Sequence, residues 1–260
     1  LVVADLDDQA SVEKAFEGAY GAYCVTFFWA HFSTEKENQH ATTMANAAKT
    51  AGVQHVVWST LEDTRHWLPV NDDRMPTLQG NYNVPHFDAK GEVDHVFTDL
   101  GLPVTLFRTC FYWDNLYMFG MGPQKGEDGQ YAITFPMGTH PIPSIGAEDI
   151  GPCALGIFKN GSEFLGKTVG IAAENLTCLD MAATLTKVLG VNVKYNAVPA
   201  DVYRSFDFPG ADDIGNMFQI WTDFEKEYLT NRSIELTRSL NESVQSFEQW
   251  LVKHKSKIPL

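Results

Sequence analysis

The N-terminal half of the chain alternates short apolar runs, typical of buried β-strands, with segments that have helical periodicity. Ser33 is a typical helix N-cap, and Gly52 and Gly101 follow the ends of predicted helices. Strands are predicted at residues 2–4, 22–26, 55–59 and 104–108, and helices at residues 11–16, 33–51 and 86–100. Strands that alternate with helices usually pair in parallel, so the sequence predicts an α/β fold with a parallel sheet covered by helices on both faces.

After about residue 115 the pattern becomes mixed. A proline-rich stretch at residues 136–143 separates predicted elements that no longer alternate regularly. Strands are predicted at residues 131–135, 167–171 and 193–198, and helices at residues 148–158, 177–189, 214–224 and 246–253. We therefore expect a first domain at residues 1–115 and a smaller mixed lobe at residues 116–260, packed on it with an interleaved boundary.

Composition argues against several classes of protein. Asp and Glu number 33 against 19 Lys and Arg, giving a net charge of −14, and such a chain is not expected to bind nucleic acid directly. Four widely spaced cysteines, Cys24, Cys110, Cys153 and Cys178, predict neither a zinc site nor a disulfide framework. No apolar run approaches the roughly 18 residues of a membrane span, and residues 1–10 carry no secretory signal. The expectation is a soluble, intracellular protein.

The segment His86-Phe87-Asp88-Ala89-Lys90 carries the main chemical signal. Short-chain dehydrogenases place a Tyr four residues before such a Lys, where the phenol moves a proton and the Lys hydrogen-bonds the nicotinamide ribose. Here the Lys is kept and His86 replaces the Tyr. Residues four apart share one helix face, so Lys90 can still point at a cofactor, while the identity of the proton donor stays open.

Several stretches together resemble the NmrA-like family of atypical short-chain dehydrogenase/reductases, above all its vertebrate members. The resemblance implies a Rossmann-like NADP-binding domain with a smaller mixed C-terminal lobe. It also implies a redox sensor that passes the NADPH/NADP ratio to regulatory protein partners, without established catalysis, in the cytoplasm and also the nucleus. A homodimer is a further option. The stretches are residues 5–8, 25–29, 57–62, 86–93, 112–116 and 208–211.

By position, the resemblance implies cofactor-binding residues and no catalytic or metal-binding ones. Asp5 and Leu6 would lie near the adenine, and Lys90 would contact the nicotinamide ribose. Gln39 stands where close relatives carry a Lys. Thr26, Phe27 and Phe28 would border the cofactor, and Tyr112, Trp113, Asp114 and Asn115 would form the loop beside the nicotinamide.

The family's glycine-rich phosphate loop is not found in this sequence. Residues 18–21 contain two glycines, but they precede a strand, whereas a phosphate loop follows one. If the resemblance holds, roughly 40 to 60 residues of a first βαβ unit are missing. The chain as written is then expected to bind NADP weakly and to be poorly soluble.

Two other functions stay open at this stage. One is an active NAD(P)H reductase of quinones or small carbonyls, with His86 or Lys90 supplying the proton. The other is an interaction module whose conformation NADP sets. Each site residue also has a structural interpretation: Lys90 as a surface charge, and Phe111, Tyr112 and Trp113 as core. The connection at residues 60–85 is long enough to form a lid or a partner surface.

Overall fold

Parallel strands alternate with helices in the N-terminal part of the chain, as the sequence predicts. The computed structural model describes residues 1–260. In chain order the helices are α1 (Gln9–Phe16), α2 (Thr34–Thr50), α3 (Pro85–Glu92), α4 (Asp94–Asp99), α5 (Asn115–Met118), α6 (Ala147–Lys159), α7 (Cys178–Leu189), α8 (Ala200–Arg204), α9 (Ala211–Asp223), α10 (Glu225–Thr230), α11 (Ile234–Leu240) and α12 (Phe247–His254). The strands are β1 (Gly21–Cys24), β2 (His55–Thr60), β3 (Val104–Arg108), β4 (Phe111–Tyr112), β5 (Gln124–Lys125), β6 (Tyr131–Phe135), β7 (Ile142–Ile145), β8 (Thr168–Gly170), β9 (Glu174–Leu176) and β10 (Val193–Ala197).

Two structural units divide the chain. The first comprises residues 1–109 and 154–170, and the second comprises residues 110–153 and 171–260. Segment 154–170 belongs to the first unit, where β8 pairs with β3.

The first unit contains a four-stranded parallel sheet in the order β1-β2-β3-β8. Gly21 stands opposite His55, and Val56 opposite Val104. Helices α1, α2 and α4 contribute to one apolar core with β1, β2 and β3, and in it the rings of Trp58 and Phe97 stack at 4.9 Å. The predicted Rossmann-like α/β class is confirmed.

The capping signals of the sequence are also confirmed. The Ser33 hydroxyl accepts a hydrogen bond from the Lys36 N–H at the start of α2, and Gly52 has a φ of 65° just past its end. This left-handed conformation suits glycine, because it has no Cβ.

Two element predictions are wrong. Residues 2–4 form no strand, and Val2 and Val3 are exposed, because no strand of this chain lies beside them to complete a ladder. The predicted helix at residues 86–100 is divided into α3 and α4 at Val93, whose φ of −89° and ψ of 0° interrupt the helical run.

The second unit contains two three-stranded mixed sheets, β10-β6-β5 and β4-β7-β9. In each, one pair of strands is parallel and the other antiparallel. Capping boxes start α7, through Thr177 and Asp180, and α12, through Ser246 and Gln249. All four cysteines of the chain are buried and unpaired by disulfides, and no helix combines the length and apolar character of a membrane span.

Candidate functional site

A buried Lys–Glu–Thr cluster lies where β1, α2 and α3 meet. The ammonium nitrogen of Lys90 is 2.6 Å from Glu37 Oε1. It also donates to the Thr26 hydroxyl and, at 3.3 Å, to the Thr26 carbonyl oxygen. The Thr26 hydroxyl in turn donates to the same Glu37 oxygen. Lys90 therefore has three acceptor atoms within this cluster: Glu37 Oε1, the Thr26 hydroxyl oxygen and the Thr26 carbonyl oxygen.

Local sequence explains how the three residues meet. Thr26 follows the carboxyl end of β1, and Lys90 lies on α3, which begins at Pro85 as proline favours. Glu37 occupies the buried stripe of α2 together with Ala41 and Met44. In open parallel sheets, ligands bind at the carboxyl ends of strands, so the cluster has the position of a ligand site.

Burial and ion pairing oppose each other at Lys90. Only 11% of its side chain is exposed, and none of the Glu37 side chain is. Burial lowers the pKa of the Lys90 ammonium, and the adjacent carboxylate of Glu37 counteracts that effect.

His31 approaches the other oxygen of Glu37. Its Nε2 lies 3.4 Å from Glu37 Oε2, and its Nδ1 accepts a hydrogen bond from the Ser33 N–H at 3.1 Å. This hydrogen bond assigns the neutral tautomer, with the proton on Nε2 toward Glu37. Burial lowers the pKa of His31, which also favours the neutral ring, while Glu37 raises it.

His86 packs among aromatic rings one helical turn before Lys90. Its ring centroid lies 4.7 Å from that of Trp29, 6.1 Å from Phe28 and 4.8 Å from Phe87. The residue is buried, with 7% exposure. The position that holds a proton-donating Tyr in dehydrogenases is thus occupied by a packed imidazole.

The other predicted site residues of the first unit do not belong to the Lys90 cluster. Asp5 is exposed, and its carboxylate accepts from the Asp7 N–H, whereas Leu6 packs partly buried against the core. Phe28 is buried, but Phe27 is exposed. Gln39 is exposed on α2, two positions past Glu37 and hence on another face of the helix. Their cofactor contacts stay predictions.

The predicted loop at residues 112–115 belongs to the second unit, where Trp113 and Asp114 contact other residues of that unit. Trp113 is fully buried, with its ring 5.4 Å from Phe247 and 5.9 Å from Trp250. Asp114 accepts from the Tyr117 hydroxyl at 2.7 Å and from the Ala147 N–H at 2.8 Å. Tyr112 and Asn115 are half-buried. Contact of the four with a nicotinamide stays a prediction.

Sequence reasoning missed Glu37 and His31. The one signal for Glu37 was the helical periodicity of α2, which places it in an otherwise apolar or small-residue stripe. A charge there is costly unless it is paired, and this marks the position as unusual.

Comparisons with known proteins agree with this architecture. The chain is 30% identical over 208 residues to the nitrogen metabolite repression protein nmr of Neurospora crassa, covering 75% of this chain and 38% of that protein. The chain thus spans well under half the length of that relative. A closeness to vertebrate members stays a prediction.

Solved structures share the fold. Nmra, a negative transcriptional regulator solved with NADP, superposes with a TM-score of 0.73 at 22% identity, covering 95% of this chain and 78% of that one. An NADPH-dependent quinone oxidoreductase of Escherichia coli, solved with NADPH, gives 0.72 at 21% identity, covering 98% and 83%. The sequence matches the NmrA-like family over residues 1–251, and the chain belongs to that family.

Proposed function

We propose that this protein is an NADP(H)-binding regulator that reads the redox state of the nicotinamide pool and transmits it to protein partners. The observation that carries the proposal is the Lys90 ammonium held beside Thr26 at the carboxyl end of β1. Family membership and the NADP complex of a structural relative support it.

The chemistry of the cluster fits the sugar of such a cofactor. Ribose hydroxyls both donate and accept hydrogen bonds, and one of them would replace the Thr26 carbonyl oxygen, which at 3.3 Å is the most distant of the three acceptors of Lys90. Lys90 would hold the ribose, with Thr26 and Phe28 beside it. Bound NADPH would supply a hydride donor.

Regulation is favoured over catalysis because of His86. Its burial against Trp29 and Phe28 explains its presence by packing. The structural relative solved with NADP is described as a negative transcriptional regulator. A regulator needs the two cofactor forms to bind two conformations differently, and it needs no proton donor.

Calorimetry with NADPH and NADP tests the proposal. Lys90→Ala should weaken NADPH binding by about 1.5 to 3 kcal/mol, the scale of a charge-assisted hydrogen bond. Lys49→Ala, at an exposed lysine near the end of α2, should bind as the wild type does. Absence of NADPH binding, or equal loss in both variants, would contradict the proposal.

Transmission to partners needs its own measurement. Light scattering and cross-linking, each with NADPH, with NADP and without nucleotide, should show a change in self-association or in partner binding between the two forms. If neither the assembly state nor the partner affinity changes with the bound cofactor, the sensor role is contradicted.

A second candidate is a reductase of quinones or other small carbonyls. The ring cluster of Phe28, Trp29 and His86 suits a flat substrate, and one structural relative is an NADPH-dependent quinone oxidoreductase. NADPH oxidation with a panel of quinones tests it. A background rate in protein that binds NADPH would dismiss this candidate.

A further inference from the structure

The carboxylate of Glu37 is buried where an apolar side chain would be expected. Its side chain has no exposed surface, and the buried face of α2 around it consists mainly of alanines, Thr34 and Met44. Burying a carboxylate costs several kcal/mol unless ion pairs and hydrogen bonds offset the lost hydration. Glu37 has such partners on Oε1, where Lys90 and Thr26 contact it, whereas Oε2 has no hydrogen-bond partner and lies 3.4 Å from His31 Nε2.

Lys90 depends on this carboxylate more than on any other charge. Asp94 on α4 is the other carboxylate that acts on the ammonium, but its Oδ1 accepts from the Trp58 indole at 2.8 Å. The Trp58 ring itself lies 5.4 Å from the Lys90 ammonium. In addition to burial, the charges of Arg108 and Glu62 act on the Asp94 carboxylate. Glu37 is therefore the direct counter-ion.

His31 completes the arrangement from the opposite side. Because the Ser33 N–H occupies Nδ1, the His31 proton is on Nε2, which lies 3.4 Å from Glu37 Oε2 without forming a hydrogen bond. Lys36 and His40 oppose a second proton on this ring. With His31 neutral, the cluster of Lys90, Glu37 and His31 carries no net charge, so it orients a hydrogen-bond donor without adding charge to the site.

We propose that Glu37 is a positioning residue of the candidate nucleotide site: it keeps the Lys90 ammonium charged and correctly aimed, with His31 beside its second oxygen. This inference rests on the proposed NADP(H) binding. It predicts that nucleotide affinity depends on a residue that touches no nucleotide.

The first test needs no nucleotide. The protein is labelled with ¹³C at the lysine Cε, the Lys90 resonance is identified by its loss in Lys90→Ala, and it is followed from pH 6 to pH 10.5. The wild-type side chain should be charged at neutral pH, and the resonance should titrate at lower pH in Glu37→Gln, where burial is no longer opposed by a counter-ion. Glu35→Gln, at an exposed position on the same helix, should match the wild type.

One further variant keeps this test decisive. Glu37→Asp restores the charge and should return the titration toward wild type. If Glu37→Gln does not fold, the Lys90 titrations of the wild type and of Glu37→Asp are compared instead. A Lys90 that is neutral at neutral pH, or a titration unchanged in Glu37→Gln, overturns the proposal.

The second test measures NADPH affinity between pH 7 and 9. At pH values above the lowered pKa of Lys90 in Glu37→Gln, this variant should lose NADPH affinity by up to about tenfold per pH unit. The wild type should stay nearly flat, and the double variant Glu37→Gln/Lys90→Ala should show no such loss. A Glu37→Gln profile parallel to wild type overturns the positioning role. No NADPH binding by wild type, together with a shifted Lys90 titration, refutes the proposed function and leaves Glu37 confirmed only as the support of Lys90.

Discussion

Asp88 accepts two hydrogen bonds from Thr64, one from the backbone N–H at 2.7 Å and one from the hydroxyl at 2.6 Å. Its other oxygen accepts from the N–H groups of Asn83 and Val84 at 2.8 and 2.9 Å. One buried carboxylate thus ties both ends of the connection between β2 and α3 to the first turn of α3. This anchoring argues against the whole connection moving as a lid, the role considered from its length.

Asp88→Asn should destabilise the first unit. The amide presents only one acceptor oxygen. If that oxygen faces Asn83 and Val84, the NH₂ group faces Thr64, whose hydroxyl can turn to accept but whose N–H loses its acceptor. A buried donor left without an acceptor costs about 1 to 3 kcal/mol, so we expect a loss of at least about 1 kcal/mol in the free energy of unfolding, measured by urea denaturation.

The matched control is Asp99→Asn, at an exposed position on α4. It removes the same charge without touching the anchor, and a surface change of this kind stays within about 0.5 kcal/mol. Equal stability of the two variants would show that the Asp88 anchor adds nothing.

Replacing Gly91 in helix α3 by alanine should have the opposite effect on stability from the one usual for a helical glycine. Alanine there would usually stabilise α3 by about 0.5 to 1 kcal/mol. A Cβ at this position, however, would lie 2.5 Å from the Asp63 backbone nitrogen, which cannot move aside as a flexible side chain could. Gly91→Ala should therefore lower the Tm.

Gly151 supplies the comparison, because it lies within α6 and a Cβ added there would meet no other atom within 4 Å. Pro152 follows it and crowds a Cβ at this position within the helix, so the comparison isolates only the tertiary clash. Gly151→Ala should therefore lower the Tm less than Gly91→Ala does, and an equal or larger loss would contradict the close approach of α3 to Asp63.

Glu148 predicts a pH dependence of stability in the second unit. Burial alone would raise the pKa of its carboxyl. Hydrogen bonds from Lys253, Gln245 and His254 outweigh burial and lower that pKa to about 2. Since the folded-state pKa lies below the ordinary value, the stabilisation is present above about pH 5 and is lost as the pH falls toward 2.

The measurement compares wild type with Glu148→Gln by thermal unfolding between pH 2.5 and 6. The Tm difference should be largest near pH 6 and should shrink as the solution is acidified. Glu242→Gln, at an exposed position of the same unit, should follow the wild-type curve. A Tm difference independent of pH would show that the charge of Glu148 is not what its partners stabilise.

Local signals predicted the first unit well, and tertiary contacts account for the failures. Ser33 and Gly52 correctly bounded α2, because capping is decided within a few residues. Residues 2–4 have strand-like composition, but a strand also needs a neighbour, which composition does not report. The helix break at Val93 likewise has no glycine or proline at the break to announce it.

The site was predicted unevenly for the same reason. Lys90 was found through its spacing from His86, which is local. Its counter-ion Glu37 comes from another helix, and only the fold brings the two together. In the second unit, the partners of Trp113 come from α12, near the C-terminus, so its burial could not be read from its neighbours in sequence.

Asp114 separates a structural role from a binding role in the predicted loop. Its carboxylate lies at the N-terminus of α6, where it accepts from the Ala147 N–H, and the Tyr117 hydroxyl donates to its other oxygen. A carboxylate at this end of a helix satisfies a free N–H group and interacts favourably with the helix dipole. Asp114→Ala should therefore cost about 1 to 3 kcal/mol in the free energy of unfolding.

Tyr117→Phe is the graded control, because it removes one hydrogen bond and leaves the helix contact in place. It should cost about 1 kcal/mol. Both variants should be measured by urea denaturation and by NADPH calorimetry. If Asp114→Ala weakens NADPH binding while its unfolding curve matches that of wild type, the carboxylate serves the ligand and its structural role is refuted.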